Sequence, residues 1–257
     1  MTGLSLLQWA LLGAGAFMAG FSKIALPGAS LLTPAFCALA LDARQSTAVV
    51  LGLFILGDIF AISYYRHAFS RRIVAPVMPS LILGLILGGA FLYFVTDSGL
   101  RILIALILLA MTAYSIWDRR KKKKGNARAA SGRTVKQIGQ MGPGGRLLYG
   151  VLGGFGTMTA NVGGPFVYLY LFRMDLSVKD FLSANAWIFF FCNLLKLPVS
   201  AGLDLFSLDT LEKVALLAVF LVPGVGAGIL LVKKISRELF EWIVYLFTVI
   251  SALSLLR

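Results

Sequence analysis

Long apolar stretches separated by short polar segments run through this chain from end to end. Charged residues fall mostly between the stretches, and six of the eight approach the roughly 20 residues that a helix needs to cross a bilayer. The pattern therefore predicts an all-α integral membrane protein. The stretches lie at 4–40, 46–65, 73–95, 100–117, 147–172, 181–202, 210–232 and 239–256.

The first and fifth stretches are too long to be single crossings. At about 1.5 Å per residue, a helix from Leu4 to Ala40 would measure about 55 Å, and Pro27 interrupts it. In the fifth stretch, the residues from Asn161 through Pro165 have low helix propensity. We therefore predict that each of these stretches consists of two shorter helices joined by a break.

Glycine and hydroxyl residues concentrate at the two breaks, which read GFSKIALPG at 20–28 and GGFGTMTANVGG at 153–164. A backbone that leaves the helix within hydrocarbon is tolerated only where protein buries it or where it lines a cavity. The breaks also occupy corresponding places in the two halves of the chain. This arrangement is typical of the substrate site of a membrane transporter.

The two halves of the chain resemble each other beyond the breaks. The corresponding features are Leu41-Asp42 and Met174-Asp175 after the breaks, Asp58 and Asn193 in the next stretch, and the pairs Gly84/Gly88 and Gly224/Gly228 after that. Glycines four apart share a helix face and let helices approach closely. We predict an internal duplication, with a first transmembrane repeat at 1–117, a basic cytoplasmic linker at 118–145 and a second repeat at 146–257.

The distribution of Lys and Arg tests the orientation of the segments, because these residues favour cytoplasmic loops. With the linker inside, eight single crossings would place four loop Lys and Arg inside and eight outside. If the first and fifth stretches are instead re-entrant hairpins, the numbers become eight inside and four outside. Each half then has one hairpin and three crossings, so the charges predict inverted repeats whose hairpin tips meet near the membrane middle.

Composition supports the membrane assignment and excludes some functions. The chain is 59% hydrophobic and 14% charged, with a mean hydropathy of +0.88. Its net charge of +13 does not indicate nucleic-acid binding, because ten of the 24 Lys and Arg lie between Arg119 and Arg146. Cys37 and Cys192 lack metal-ligand spacing, so neither a metal nor another cofactor is predicted. No Lys or Arg precedes the first stretch, which we expect to stay in the protein.

Two lysines indicate an anion site. An anion that leaves water for a low-dielectric site needs opposite charge and hydrogen-bond donors. We take Lys23 and Lys196 to be the only lysines inside apolar stretches, where an ionisable side chain indicates a site or a pathway. Ser22 would add a hydroxyl beside Lys23, and Asn193 shares a helix face with Lys196. The alternatives are that the lysines snorkel to an interface and that Asn193 only packs.

The breaks offer further hydrogen-bond donors for an anion. At a helix N-terminus, free backbone N–H groups and partial positive charge favour an oxyanion. The predicted donors are Thr157, Thr159, Asn161, Gly163 and Gly164 in the second break, and Gly28 in the first. The alternative is that the glycines only allow close packing.

Asp58 is the acidic residue well inside an apolar stretch. It is a candidate proton carrier for coupled transport. Equally, it is a candidate counter-ion to Lys23 or Lys196, and a bound substrate would then compete with it for the ammonium group. His67, the only histidine, stands beside Arg66 at the end of a stretch and is interpreted as an interfacial residue.

Taken together, these motifs resemble those of the sulfite exporter TauE/SafE family. The resemblance rests on AGFS at 19–22 running to Pro34, GGFG at 153–156 running to Pro165, NLLK at 193–196, and LVPG at 221–224 running to KKIS at 233–236. It covers nearly the whole chain and implies a multi-pass bacterial plasma-membrane permease for small sulfur-containing or organic anions, such as sulfite, sulfoacetate or other sulfonates. The KIALP sequence at 23–27 departs from the fuller glycine run usual in the family.

The function expected from the sequence is secondary transport of a small oxyanion, with export by alternating access driven by protons or by the membrane potential. The expected partners are a small anionic substrate and the lipid bilayer, and homo-oligomerisation is left open. An anion channel and a permease for small carboxylates are the alternatives, and a non-transporting assembly protein is a third. An enzyme is not predicted, because the chain has one histidine and neither a metal-ligand cluster nor an activated nucleophile.

Overall fold

The computed structural model describes residues 3–94, 109, 113, 116–117, 142–161, 163–202 and 207–254, and no strand occurs among them. The fourth apolar stretch and the basic linker lie almost wholly outside these residues, so the expectations about them stay predictions. Short 3-10 helices occupy Pro27–Leu31 and Arg66–Ala68. The α-helices are α1 (Leu6–Ile24), α2 (Leu32–Ala40), α3 (Ala43–Tyr65), α4 (Arg71–Val74), α5 (Met78–Phe94), α6 (Pro143–Ala160), α7 (Gly164–Phe172), α8 (Val178–Gly202), α9 (Leu208–Val232) and α10 (Arg237–Ser254).

The first apolar stretch folds back on itself as a helical hairpin. Near the start of α1, Gln8 Nε2 donates to the carbonyl oxygen of Ala40, at the end of α2, at 2.9 Å. In the middle of the pair, Thr33 Oγ1 donates to the Gly15 carbonyl oxygen at 3.1 Å. Contacts at these two levels make α1 and α2 antiparallel. The predicted break is thus confirmed, and it lies where Pro27 begins a 3-10 helix.

The fifth stretch forms a second hairpin from α6 and α7. Helix α6 ends at Asn161, which adopts the left-handed conformation at φ 55° and donates its N–H to the Gly156 carbonyl oxygen. Gly163 then packs so closely on α6 that a Cβ there would overlap Gly153 and Thr157. A Cβ on Gly153 would in turn lie 3.2 Å from Val167 of α7. The second predicted break is therefore also confirmed.

The described residues form two compact units. The first comprises Met1–Val74 and Val178–Ile243, and the second comprises Ala75–Ser177 and Val244–Arg257. Each unit therefore combines helices from both halves of the sequence, because α8, α9 and the start of α10 pack with α1 to α4. The repeat boundaries inferred from sequence stay a prediction.

Within the first unit, α3 and α8 are antiparallel. Asn193 of α8 bonds to Asp58 in the middle of α3, and Ser183, nearer the start of α8, donates to the carbonyl oxygen of Tyr65 at the end of α3 at 3.3 Å. Helices α1 and α9, in contrast, run parallel, because residues further along α1 contact residues further along α9. Glycines allow this approach: a Cβ on Gly20 would overlap the Leu221 carbonyl group of α9.

The second unit repeats this parallel glycine contact with α5 and α6. A Cβ on Gly154 of α6 would overlap the Leu81 carbonyl group of α5, as one on Gly20 would overlap that of Leu221. The other glycine contacts of the two units also correspond. Residues of α1 and α6 differ by one constant number of positions, and residues of α5 and α9 by another. Gly224 packs on Phe17 and Gly228 on Ile24, while Gly84 packs on Val151 and Gly88 on Met158. This correspondence supports the predicted duplication.

Three of the described helices are long and apolar enough to cross a membrane, namely Gln45–Ala68, Val178–Pro198 and Leu208–Val232. Shorter apolar helices cover Pro27–Ala40 and Met78–Phe91. Several polar residues are buried while many large apolar ones are exposed: Lys213 of α9 is 3% exposed, whereas Leu230 of the same helix is 65% exposed. This distribution fits a protein surrounded by lipid.

We expect Gly224→Ala to destabilise the protein, because the added methyl group would overlap the Phe17 carbonyl group. The free energy of unfolding should fall by about 1–3 kcal/mol, the usual range for overpacking. Gly226 provides the matched control, since it lies on the same helix and nothing stands within 4 Å of a Cβ built there. Thermal unfolding in detergent micelles measures both variants. Equal melting temperatures for Gly224→Ala and Gly226→Ala would contradict this packing.

Candidate functional site

The centre of the first unit contains a buried ion pair between Lys23 and Asp58. Lys23 Nζ lies 2.7 Å from Asp58 Oδ1, and the two residues are 5% and 0% exposed. Lys23 stands in the last turn of α1, just before the break, and Asp58 stands in the middle of α3. Gly57 gives the lysine room to pass, because a Cβ at that position would lie 3.0 Å from Lys23 Cγ.

Asn193 brings a third helix to this pair. Its Nδ2 donates to Asp58 Oδ2 at 2.7 Å, and Asn193 is 1% exposed. Each carboxylate oxygen therefore faces a donor from a different helix. An ion pair on one oxygen and a hydrogen bond on the other make a buried carboxylate tolerable in an apolar interior. The structure thus pairs Asp58 with Lys23, and the role of Asp58 as a proton carrier stays a prediction.

Two aromatic rings flank the Lys23 ammonium group. Its Nζ lies 4.7 Å from the ring centroid of Phe54 and 5.3 Å from that of Phe189. Both distances are in the range of cation–π attraction, which is strongest where water is excluded. Sequence reasoning did not assign these rings to Lys23. The available signal was spacing, because each ring stands four residues before Asp58 or Asn193 on its own helix.

Lys196 belongs to the same region of the first unit. It lies one turn beyond Asn193 on α8, it is 6% exposed, and it interacts electrostatically with Asp58 and Lys23. Its burial argues against the alternative that it snorkels to an interface. The expectation that Lys23 and Lys196 are the only lysines inside apolar stretches is wrong: Lys213 stands in the stretch 210–232 and is also buried, where it pairs with Asp209.

The two other predicted residues of the first break have local roles in the structure. Ser22 is fully buried beside Lys23, and its Oγ donates to the carbonyl oxygen of Ala19 in its own helix at 3.1 Å. Gly28 is buried within the 3-10 helix that follows the break. Direct donation by the Ser22 hydroxyl to an anion would require that intrahelical bond to break.

The predicted residues of the second break lie in the second unit. Thr157 is buried and packs against Gly163, while Thr159 Oγ1 donates to the Phe155 carbonyl oxygen at 2.9 Å. Asn161 caps α6, and Gly163 precedes α7, which begins at Gly164. The structure thus brings Lys23, Asp58, Asn193 and Lys196 together in one unit and the second-break residues together in the other. The expected meeting of the two hairpin tips stays a prediction.

Comparison with known proteins gives one clear result. The model of the family described as "Sulfite exporter TauE/SafE" matches residues 12–255, nearly the whole chain. No curated protein and no solved structure matches the chain. The match confirms the resemblance inferred from the sequence motifs.

We expect Asp58→Asn to destabilise the protein strongly, because it leaves the Lys23 ammonium group buried without a carboxylate. Removing one partner of a buried ion pair typically costs about 3–5 kcal/mol. The double variant Lys23→Met/Asp58→Asn should recover part of this loss, since no uncompensated charge remains. The measurement is thermal unfolding in detergent micelles.

Asp42→Asn is the matched control for this measurement. Asp42 is the exposed N-cap of α3, the helix that carries Asp58, and asparagine caps a helix about as well as aspartate does. If Asp58→Asn unfolds at the same temperature as Asp42→Asn, the ion pair does not support the fold.

Proposed function

This chain belongs to the sulfite exporter TauE/SafE family, and we propose on that basis that it is a secondary transporter of small sulfur-containing or organic oxyanions, such as sulfite, sulfoacetate or other sulfonates. Membership supports a membrane protein that transports sulfur anions. The observation that carries the proposal further is the buried Lys23 ammonium group, held by Asp58 beside Asn193. We place the protein in the bacterial plasma membrane.

In this proposal, Asp58 occupies the place of the anion when no substrate is bound. The carboxylate presents two oxygens to a lysine and an amide, as a sulfite or sulfonate group would. An arriving oxyanion competes with Asp58 for the Lys23 ammonium and for Asn193 Nδ2. Lys196, which interacts electrostatically with both members of the pair, adds the second positive charge.

Asp58 also offers a route for coupling to protons. When the anion takes over the Lys23 ammonium, the carboxylate loses its nearest positive charge, and binding a proton then removes the cost of leaving it charged and buried. Proton uptake by Asp58 and anion binding by Lys23 would thus favour each other. An anion that moves without the proton is instead driven outward by an inside-negative potential, by about 2.3 kcal/mol per charge per 100 mV.

The remaining predicted residues enter the proposal on the strength of the sequence. They are Ser22 and Gly28 in the first hairpin, and Thr157, Thr159, Asn161, Gly163 and Gly164 in the second. Hydroxyl, amide and backbone N–H groups at broken helices are suitable donors to an oxyanion.

The orientation of α3 and α8 supports inverted repeats, the architecture that alternating access commonly uses. These helices correspond to the second and sixth apolar stretches. Eight single crossings would send both across the membrane in the same direction, because four crossings separate their starts. Re-entrant hairpins at the first and fifth stretches leave three crossings, so the directions are opposite. The antiparallel contacts of α3 with α8 agree with the second arrangement.

Transport in proteoliposomes tests the proposed function. We expect saturable uptake and counterflow of at least one anion from a panel of sulfite, sulfoacetate, taurine and small carboxylates. Lys23→Ala and Lys196→Ala should each lower kcat/KM by about tenfold or more, the effect of losing a charge-assisted hydrogen bond. Lys179→Ala is the control, because Lys179 is exposed and lies on the same helix as Lys196.

The counterflow arm separates a carrier from a channel, since only a carrier accelerates labelled uptake when unlabelled substrate is inside. Flux that does not saturate would favour an anion channel. Flux that is unchanged in both Lys23→Ala and Lys196→Ala, in protein shown to be folded, would overturn the proposed site.

Cysteine labelling tests the re-entrant arrangement. In a background of Cys37→Ala and Cys192→Ala, we expect Gly3→Cys and Asp42→Cys to react with a membrane-impermeant maleimide on intact cells. Both positions flank the first hairpin, so they should lie on the same, outer side. Ser177→Cys, which precedes α8, should react only after permeabilisation. Labelling of Gly3→Cys and Asp42→Cys from opposite sides would show that the first stretch crosses the membrane.

A further inference from the structure

Tyr65, the last residue of α3, is a buried tyrosine that bonds to the end of α1. Its Oη donates to the carbonyl oxygen of Ile24 at 2.6 Å, and the residue is 1% exposed. Its own carbonyl oxygen accepts from Ser183 Oγ of α8 at 3.3 Å. Three helices are therefore tied together where the first hairpin breaks.

Ile24 requires such a donor because α1 ends there. The last carbonyl groups of a helix lack the N–H partners that a further turn would supply, and a buried acceptor without a donor is costly. The N–H of Ala25 turns back to the carbonyl oxygen of Phe21 at 2.9 Å. The Tyr65 hydroxyl donates a hydrogen bond to the Ile24 carbonyl oxygen and so holds the end of α1 beside the end of α3.

Helix α3 thus engages two neighbouring residues of α1. Asp58 pairs with the side chain of Lys23, and Tyr65, seven residues further along α3, bonds to the backbone of Ile24. Seven residues are about two helical turns, so both groups lie on one face of a rigid element. Because Lys23 and Ile24 are adjacent at a break, the backbone bond determines where the ammonium group of Lys23 can reach.

We propose that Tyr65 is a positioning residue for anion binding: through the Ile24 carbonyl group, its hydroxyl holds the Lys23 ammonium where it can exchange Asp58 for the substrate. This inference rests on the proposed transport function. Tyr65 acts on the backbone next to Lys23. Loss of the Tyr65 hydroxyl therefore changes the position of the Lys23 ammonium group but not its charge.

The test uses Tyr65→Phe, which keeps the ring and removes the hydroxyl. In proteoliposomes we expect KM for the transported anion to rise about three- to tenfold, as the loss of one hydrogen bond implies, with the maximal rate within about twofold of the intact protein. Tyr64→Phe is the control, since Tyr64 is the neighbouring residue and is 37% exposed. If the maximal rate falls with the yield of folded protein while KM is unchanged, Tyr65 is only a structural brace and the proposal is overturned.

A second measurement needs no substrate. Thermal unfolding is compared for Tyr65→Phe, for Lys23→Met/Asp58→Asn, which leaves no unpaired buried charge, and for the triple variant. If Tyr65 positions Lys23, removing the hydroxyl should destabilise the protein less when the lysine is already gone, so the effects are not additive. Additive effects would overturn the positioning role. If the intact protein transports none of the anions tested, the proposed function fails, and this cycle still shows whether Tyr65 is coupled to Lys23.

Discussion

Placing an ammonium group in an apolar interior requires compensation on every side, and the first unit meets this requirement for Lys23 with residues from three helices. Helix α1 supplies the lysine, α3 supplies the carboxylate of Asp58 and the ring of Phe54, and α8 supplies Asn193 and Phe189. The charge therefore specifies how these helices pack as well as what the site can bind.

The correspondence between the halves explains how the site became asymmetric. Asp58 and Asn193 occupy corresponding positions, as do Phe54 and Phe189, and each polar residue stands four positions after its ring. A carboxylate in one half faces an amide in the other. Two carboxylates at this place would repel each other, whereas an acid and an amide form a hydrogen bond and leave the acid free to pair with one lysine.

The two helix breaks could be predicted from the sequence because their signals are local, and the same kind of signal made Lys23 and Asp58 candidates for the site. The length of the first stretch and Pro27 require a break, and a charged residue within an apolar run, such as Lys23 or Asp58, indicates a site. The pairing of Asp58 with Lys23 depends on how distant helices pack, which no local pattern encodes. Ser22 illustrates the same limit, since its hydroxyl group bonds within its own helix. The burial of Lys213 could have been predicted in the same way, because this lysine also lies within an apolar stretch.

The parallel contact between α1 and α9 has a consequence for biosynthesis. The surface of α1 that carries Gly20 finds its partner only when the helix with Leu221 and Gly224 has been made, long after α1 itself. Until then, α1 carries Lys23 in its last turn while neither Asn193 nor α9 has been made. The first half of the chain is therefore an incomplete folding unit until these partners have been made.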